Sequence, residues 1–217
     1  YWLVRTILMS YRMIIGYRKF KYDMSLDWKE MLNDLVPVND WRKIYHLVIV
    51  PTYKEDISIL RSSLDSVARS LHPMENVIYV LATEERDKEN AEKISKILEK
   101  EYEKKLGGFF TIMHPDNVPG EVKGKGPNIT HACQKMVTYF EKNNIPFENV
   151  IVTTMDADNM MDKKYLACLT YKYVSDPDPV HKSFQPLPMY FNNIWDVPVM
   201  MRSITGTSQI LLKRSEE

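Results

Sequence analysis

Short continuous apolar runs alternate along this chain with stretches in which apolar residues recur every three or four positions. Residues 46–50 (HLVIV) form the first run, halted by Pro51, and read as a strand covered on both faces. Ile57, Leu60, Leu64, Val67 and Leu71 then mark the buried stripe of a helix that His72-Pro73 stops. A second run at 77–81 predicts another strand. It precedes a charged helix over 84–106 with Ala91, Ile94, Leu98 and Tyr102 on one side, ended by Gly107-Gly108. Residues 109–113 give a third strand, followed by a polar loop over 114–125. A helix beginning near Asn128 buries Ile129, Ala132, Cys133, Met136 and Phe140, and residues 150–154 are the fourth strand. Beyond it, 165–174 is helical, 176–179 (DPDP) is a rigid turn, 183–191 reads as a further strand and 195–212 is mixed.

Strand–helix alternation repeated in this way predicts an α/β fold: a Rossmann-type, mostly parallel sheet with right-handed crossovers and helices on both faces. Ligands bind such sheets at the carboxyl ends of the strands. Residues 51–53, 82–84, the 114–125 loop and the Asp156–Asp158 segment all fall at those ends, so four polar segments converge on one edge.

The first 45 residues have a different character and are read as a leader and connector, with the sheet domain over 46–217. Between Tyr1 and Tyr22 there are five basic residues (Arg5, Arg12, Arg18, Lys19, Lys21) and no acidic one, mixed with Trp2, Leu3, Val4, Ile7, Leu8, Met9, Met13, Ile14 and Ile15. This resembles a basic amphipathic helix at the cytoplasmic face of a membrane; a surface helix packed on the domain is the other reading. Arg5 and Arg12 interrupt the run, so it does not read as a spanning segment. The chain begins at Tyr1 rather than methionine, so sequence is expected upstream. Residues 29–41, with Pro37, read as a short connector.

Lysine plus arginine and aspartate plus glutamate both total 29, so no overall positive charge points to nucleic acid. At 44% hydrophobic and 27% charged residues the balance is globular, not disordered. Cys133 and Cys168 have no zinc-like spacing and read as small core residues in a reducing compartment.

The chemistry concentrates after the fourth strand. Asp156 and Asp158 are one residue apart, and in an extended chain such side chains point the same way. Two hard oxygen donors on one side suit magnesium or manganese, with the remaining coordination left to water and phosphates; an ordinary polar turn is the alternative. No GxGxxG follows the first strand, Gly124-Lys125-Gly126 lacks P-loop spacing, and there is no GxSxG or HExxH, so hydrolase readings lack a nucleophile or a zinc site.

Pro51-Thr52-Tyr53-Lys54-Glu55 after the first strand, Gly124-Lys125-Gly126-Pro127-Asn128 before a helix and Asp156-Ala157-Asp158 after a later strand occur in this order. The combination resembles the family-2 glycosyltransferases of the GT-A fold, of a membrane-associated bacterial type, over about residues 47–165. The resemblance implies that Pro51, Thr52, Tyr53 and Glu55 line a base and ribose pocket and that Lys125 lies near the phosphates or donor sugar. It implies that Asp156 touches ribose or metal and that Asp158 is the principal ligand of a magnesium or manganese ion. Family members carry base-holding aspartates after the second strand; here Thr83 or Glu84 takes that place. The donor would be a nucleotide-diphosphate sugar, and the acceptor a saccharide or lipid-linked hydroxyl. Two positions keep bland readings beside these: Glu55 as a first-turn acid of the following helix, and Lys125 as a solvated lysine.

The general base of such an enzyme is not identified. Asp196 is a candidate, in a segment that also reads as a helix start, and the chain is expected to end before the base. The aromatic stretch 184–191 reads as an acceptor platform or as an edge strand. Two rivals stand: a glycosyltransferase-like binding module without transfer, and a nucleotidyltransferase, whose glycine-rich basic loop would follow the first strand, where Pro51-Thr52-Tyr53 stands instead.

Overall fold

The structure, a computed structural model, describes residues 1–35 and 40–186. It divides into two units, Trp28–Val180, which holds the sheet, and a second that includes Tyr1–Asp27. In the second unit α1 (Trp2–Ser25) is a single helix. Trp2, Leu3, Ile7, Leu8, Ile14 and Ile15 are exposed along it. At 100° per residue Leu3, Ile7, Leu8, Ile14 and Ile15 fall within an arc of about 140° on one side of the helix, and Trp2 lies outside it. Among the described residues no helix is long and apolar enough to cross a membrane.

The sheet unit runs β1 (Tyr45–Pro51), α3 (Ile57–Ala68), β2 (Val77–Glu84), α4 (Lys88–Tyr102), β3 (Gly108–His114), α5 (Lys125–Lys142), β4 (Val150–Thr154) and α6 (Tyr165–Ser175), preceded by a short α2 (Trp28–Asp34). All strand pairs are parallel, in the order β3-β2-β1-β4. The chain therefore winds outward from β1 through β2 to β3, then returns across the sheet to place β4 on the other side of β1. Right-handed crossovers force the consequence: the helices of the outward winding lie on one face, and α5, which carries the chain back, lies on the other.

The side chains obey this division. Leu47, Ile49, Ile78, Val80 and Ala82 point to one face and pack with Ala132, Met136 and Phe140 of α5. Val48, Val50, Tyr79 and Leu81 point to the other and meet Leu60, Leu64 and Val67 of α3, Leu98 and Tyr102 of α4 and Leu166 of α6. Covered on both faces, β1 and β2 are buried along almost their whole length instead of alternating, which is why residues 47–50 and 77–82 are continuous apolar runs. Between α3 and α4, Arg61 donates twice to Glu101 (2.9 and 2.6 Å) and the Tyr102 hydroxyl donates to Asp65 (2.6 Å).

Several element boundaries differ from the periodicity. The connector contains α2, whose Trp28 and Leu32 are buried and whose Trp28 ring lies 5.6 Å from Tyr171 of α6. The first sheet helix ends at Ala68, and Leu71 is exposed, because the chain leaves the helix to donate the Leu71 N–H to the Lys163 carbonyl (2.8 Å). Strand β2 runs on to Glu84, paired with His114, so α4 starts four residues later than expected. It also stops at Tyr102, so Gly107 is not its cap. A Cβ at Gly107 would meet the Glu75 carbonyl oxygen at 2.0 Å, while its N–H donates to Met74 (2.7 Å) and Val77 (3.0 Å). The glycine is there for close approach of two backbones. Helix α5 begins at Lys125, with Pro127 inside its first turn, where the missing N–H has no partner to lose.

The fourth strand was expected to be buried, yet Val152 is half exposed: in register it faces the α5 side, where α5 packs on β1 and β2. Cys133 and Cys168 form no disulfide and are half-buried, with Cys133 at the margin of the α5-side core and not fully inside it. Within 183–191 the described residues 183–186 form no strand, and the rest of that stretch, with 195–212, lies outside the described residues.

Candidate functional site

The strand order reverses between β1 and β4, and in doubly wound sheets the crevice at the carboxyl ends beside that reversal is where ligands bind. Both flanking strands extend their ladders by one bond beyond their ends. Thr52 donates to the Ala82 carbonyl (2.9 Å) and Met155 to the Ile49 carbonyl (3.1 Å). The next residues on the β4 side are Asp156, Ala157 and Asp158. Met155 and Ala157 are buried, whereas Asp156 and Asp158 are exposed, so the in–out alternation of the strand continues and both carboxylates face solvent. The turn reading also holds in part, since Asn159 donates to the Asp156 carbonyl (3.0 Å).

Lys125, the first residue of α5, places its ammonium 2.7 Å from Asp156 Oδ1. That hydrogen bond, with Asp158 and Glu55 also near, raises the lysine above its ordinary value. Lys125 is therefore one member of a charged group at the crevice, not an isolated solvated lysine. A Cβ at Gly124 or Gly126 would touch nothing within 4 Å. The amino terminus of α5, the positive end of its dipole, thus opens onto free space beside two carboxylates.

The β1–α3 loop and the β2–α4 turn form the neighbouring wall. Thr52, Glu55, Thr83 and Glu84 line one cleft, together with Asp87, Asn90 and the apolar Leu60, Leu81, Ala91 and Ile94. Glu55 is not the first-turn acid of α3: Asp56 is the N-cap, accepting from the Ser58 N–H (2.7 Å), and Glu55 precedes it. Asp56 is held below the usual carboxylate range by Ser58, through its side chain first and its backbone N–H second. Thr83 is buried, its hydroxyl 3.5 Å from the Ile112 carbonyl. The Glu84 carboxylate is paired with Arg86. The Arg86 guanidinium also stands 4.4 Å from the centroid of the Tyr53 ring, with the Lys54 ammonium at 5.1 Å. Pro51 is buried as the last residue of β1, opposite Ala82. Asp196 lies outside the described residues.

Chain-wide comparison adds little to this geometry. No protein-family model matches the chain, and no curated protein does. Among solved structures it is similar to the mannosyltransferase PcManGT from Pyrobaculum calidifontis in complex with GDP-Man and Mn2+, at 17% identity and a TM-score of 0.39. The match covers 81% of this chain and 43% of that one, so the chain spans less than half the length of that protein. The functional reading therefore rests on the residues themselves.

Sequence reasoning missed four of them. Asp87 and Asn90 line the cleft, but a helix expected from residue 84 hid the fact that Asp87 closes the strand-to-helix turn; its Asp-x-x-Asn spacing was the available signal. Arg86 pairs with Glu84 and covers Tyr53. Asn128, nearly fully buried, donates from Nδ2 to the same Ala82 carbonyl that receives Thr52 (2.9 Å), tying the first turn of α5 to the end of β2. The asparagine of the Gly-Lys-Gly-Pro-Asn motif is thus a structural anchor that holds Lys125 in place.

A second cleft lies outside the reversal point, at the ends of β2 and β3. It is lined by His114, Asp116, Glu121 and Lys123 among others. Its loop is stapled by His114–Glu121 (2.9 Å), Lys123–Asp116 (2.7 Å) and the Asp116 N–H on Glu85 (2.9 Å). These charges already have partners within the loop.

Proposed function

We propose that this chain carries the donor-binding domain of a glycosyltransferase that takes a sugar from a nucleotide-diphosphate donor. One observation carries the reading: two solvent-facing carboxylates, Asp156 and Asp158, sit beside the strand-order reversal, with a lysine and an open helix amino terminus next to them. Among the described residues no group of three or more histidine, cysteine or acidic side chains is arranged as a complete metal cage. Two exposed oxygen donors without a third fit magnesium or manganese, which commonly takes one or two carboxylates and completes its shell with water and phosphate. Asp158 and Asp156 would hold it. When bound, such an ion neutralises charge on the diphosphate as the nucleotide departs.

The residues divide the remaining tasks. Thr52, Tyr53 and Glu55 with Thr83 and Glu84 receive the nucleoside, Pro51 fixing the turn and carboxylates accepting from ribose hydroxyls. Lys125 and the amino terminus of α5 receive the phosphates; for this Lys125 exchanges Asp156 for phosphate oxygens, a swap between exposed partners that costs little. Transfer in this reading is direct and inverting, an acceptor hydroxyl of a saccharide or lipid-linked substrate attacking the anomeric carbon while a general base takes its proton. The α1 helix, with basic and exposed apolar residues together, would hold the protein at the cytoplasmic face of a membrane. Cosedimentation with anionic vesicles tests that last point, and binding no stronger than to neutral vesicles would contradict it.

The function is tested by incubating the chain with uridine, guanosine and thymidine diphosphate sugars, with manganese, and measuring free nucleoside diphosphate. Metal-dependent release supports the enzyme. Binding without release favours a glycosyltransferase-like binding module, and pyrophosphate release from a nucleoside triphosphate with a sugar phosphate would favour a nucleotidyltransferase.

A further inference from the structure

Asp87 occupies the N-cap of α4, where an aspartate ordinarily accepts from the first N–H groups of its own helix; here it makes no such bond. Its Oδ2 accepts instead from the backbone N–H of Lys54, 33 residues away, at 3.1 Å, and from Asn90 Nδ2 at 3.0 Å. Lys54 has φ +59°. The other non-glycine residues with positive φ among those described are Asn117 and Asn144, of the type that tolerates the left-handed region through its short polar side chain. A lysine has no such compensation, so its conformation is held from outside.

The loop around Lys54 is fixed at both ends. Thr52 is bonded to Ala82 at one side, and Asp56 caps α3 at the other. Between them stand Tyr53, half exposed under Arg86, and Glu55, which lines the same cleft as Asp87. Rotation about Lys54 would swing Glu55 relative to Thr52, and the group on the Lys54 N–H is Asp87. We propose that Asp87 is a positioning residue: it clamps Lys54 in the left-handed conformation and so aims Tyr53 and Glu55 at a nucleoside. The proposal rests on the donor-site reading above.

The test compares the parent chain, Asp87→Ala, Lys54→Gly and the double variant by amide hydrogen exchange over residues 53–55. It also compares their affinities for uridine, guanosine and thymidine diphosphates with manganese. Asp87→Ala is expected to speed exchange at these amides and to weaken nucleotide binding about tenfold, a loss of about 1.4 kcal/mol. Because the Asp87 side chain does not cap α4, the exchange of that helix stays unchanged. Glycine takes positive φ without a clamp, so the double variant regains most of the lost affinity. Unchanged exchange at 53–55 in Asp87→Ala would overturn the proposal. A double variant as weak as Asp87→Ala alone would do so too, since it would mean that Asp87 touches the nucleotide directly. A parent chain that binds none of the three nucleotides would defeat the donor-site reading instead, while the exchange data would still decide whether Asp87 holds the loop.

Discussion

At the amino end of β1, His46 is fully buried, donating to or accepting from the Thr170 hydroxyl at 2.7 Å, with the His72 ring edge-on at 4.6 Å and Trp41 packed on His72 at 5.8 Å. At the carboxyl end of the same sheet, Lys125 and Asp156 pair with both side chains more than half exposed. The first end encloses titratable groups and keeps them uncharged: burial pushes His46 well below its ordinary value, with His72 beside it adding to the effect, and pushes His72 down to about 4. The second end leaves charged groups in water, where partners exchange at little cost. Polar residues at the two ends of one sheet thus serve opposite purposes, order at one and exchange at the other.

The comparison can be broken at the amino end first. Gly107→Ala, which forces a Cβ against the Glu75 carbonyl beside the start of β2, is expected to cost roughly 3 kcal/mol in chemical denaturation. A cost under about 1 kcal/mol would mean that the strand entry is loosely packed.

Acid is the next probe. His72 is neutral when folded, so as pH falls below about 6.5 the unfolded chain takes up a proton first and stability declines until the folded value near 4 is reached. The loss over that window is roughly 3 kcal/mol, and His46 adds to it. His72→Phe should remove most of the His72 share; denaturation curves equally steep in both proteins would contradict the assignment.

At the carboxyl end the same kind of change should leave stability nearly untouched. Lys125→Ala is expected to alter unfolding by less than about 1 kcal/mol, because the pair is exposed. It should shift ligands in opposite directions, manganese alone binding more tightly to the unshielded carboxylates and metal-free nucleoside diphosphate more weakly. Parallel shifts would show that Lys125 does not balance charge between metal and phosphate.

Much of the sheet was legible because two-sided burial writes strands as continuous apolar runs; β4 was read to the residue even though its Val152 is exposed. Boundaries failed where tertiary bonds outrank periodicity: Leu71 leaves its helix for Lys163, and Gly107 answers to Glu75 across the chain and not to the helix before it. The carboxylates of the site were legible because alternation continues through Ala157. The clamp was not, because a hydrogen bond between Asp87 and Lys54 joins residues whose proximity only the β1–β2 pairing creates.

The central claim is that Asp156 and Asp158 form the metal–diphosphate end of a donor site. It is tested most directly by thermal shift with uridine, guanosine and thymidine diphosphates and their sugars, with and without manganese, on the parent chain and on Asp158→Ala. The account predicts that at least one nucleotide raises the melting temperature of the parent only when manganese is present. It also predicts that Asp158→Ala, measured against its own ligand-free melting temperature, loses that rise. No metal-dependent stabilisation by any of the nucleotides, or a rise unchanged in Asp158→Ala, would contradict it.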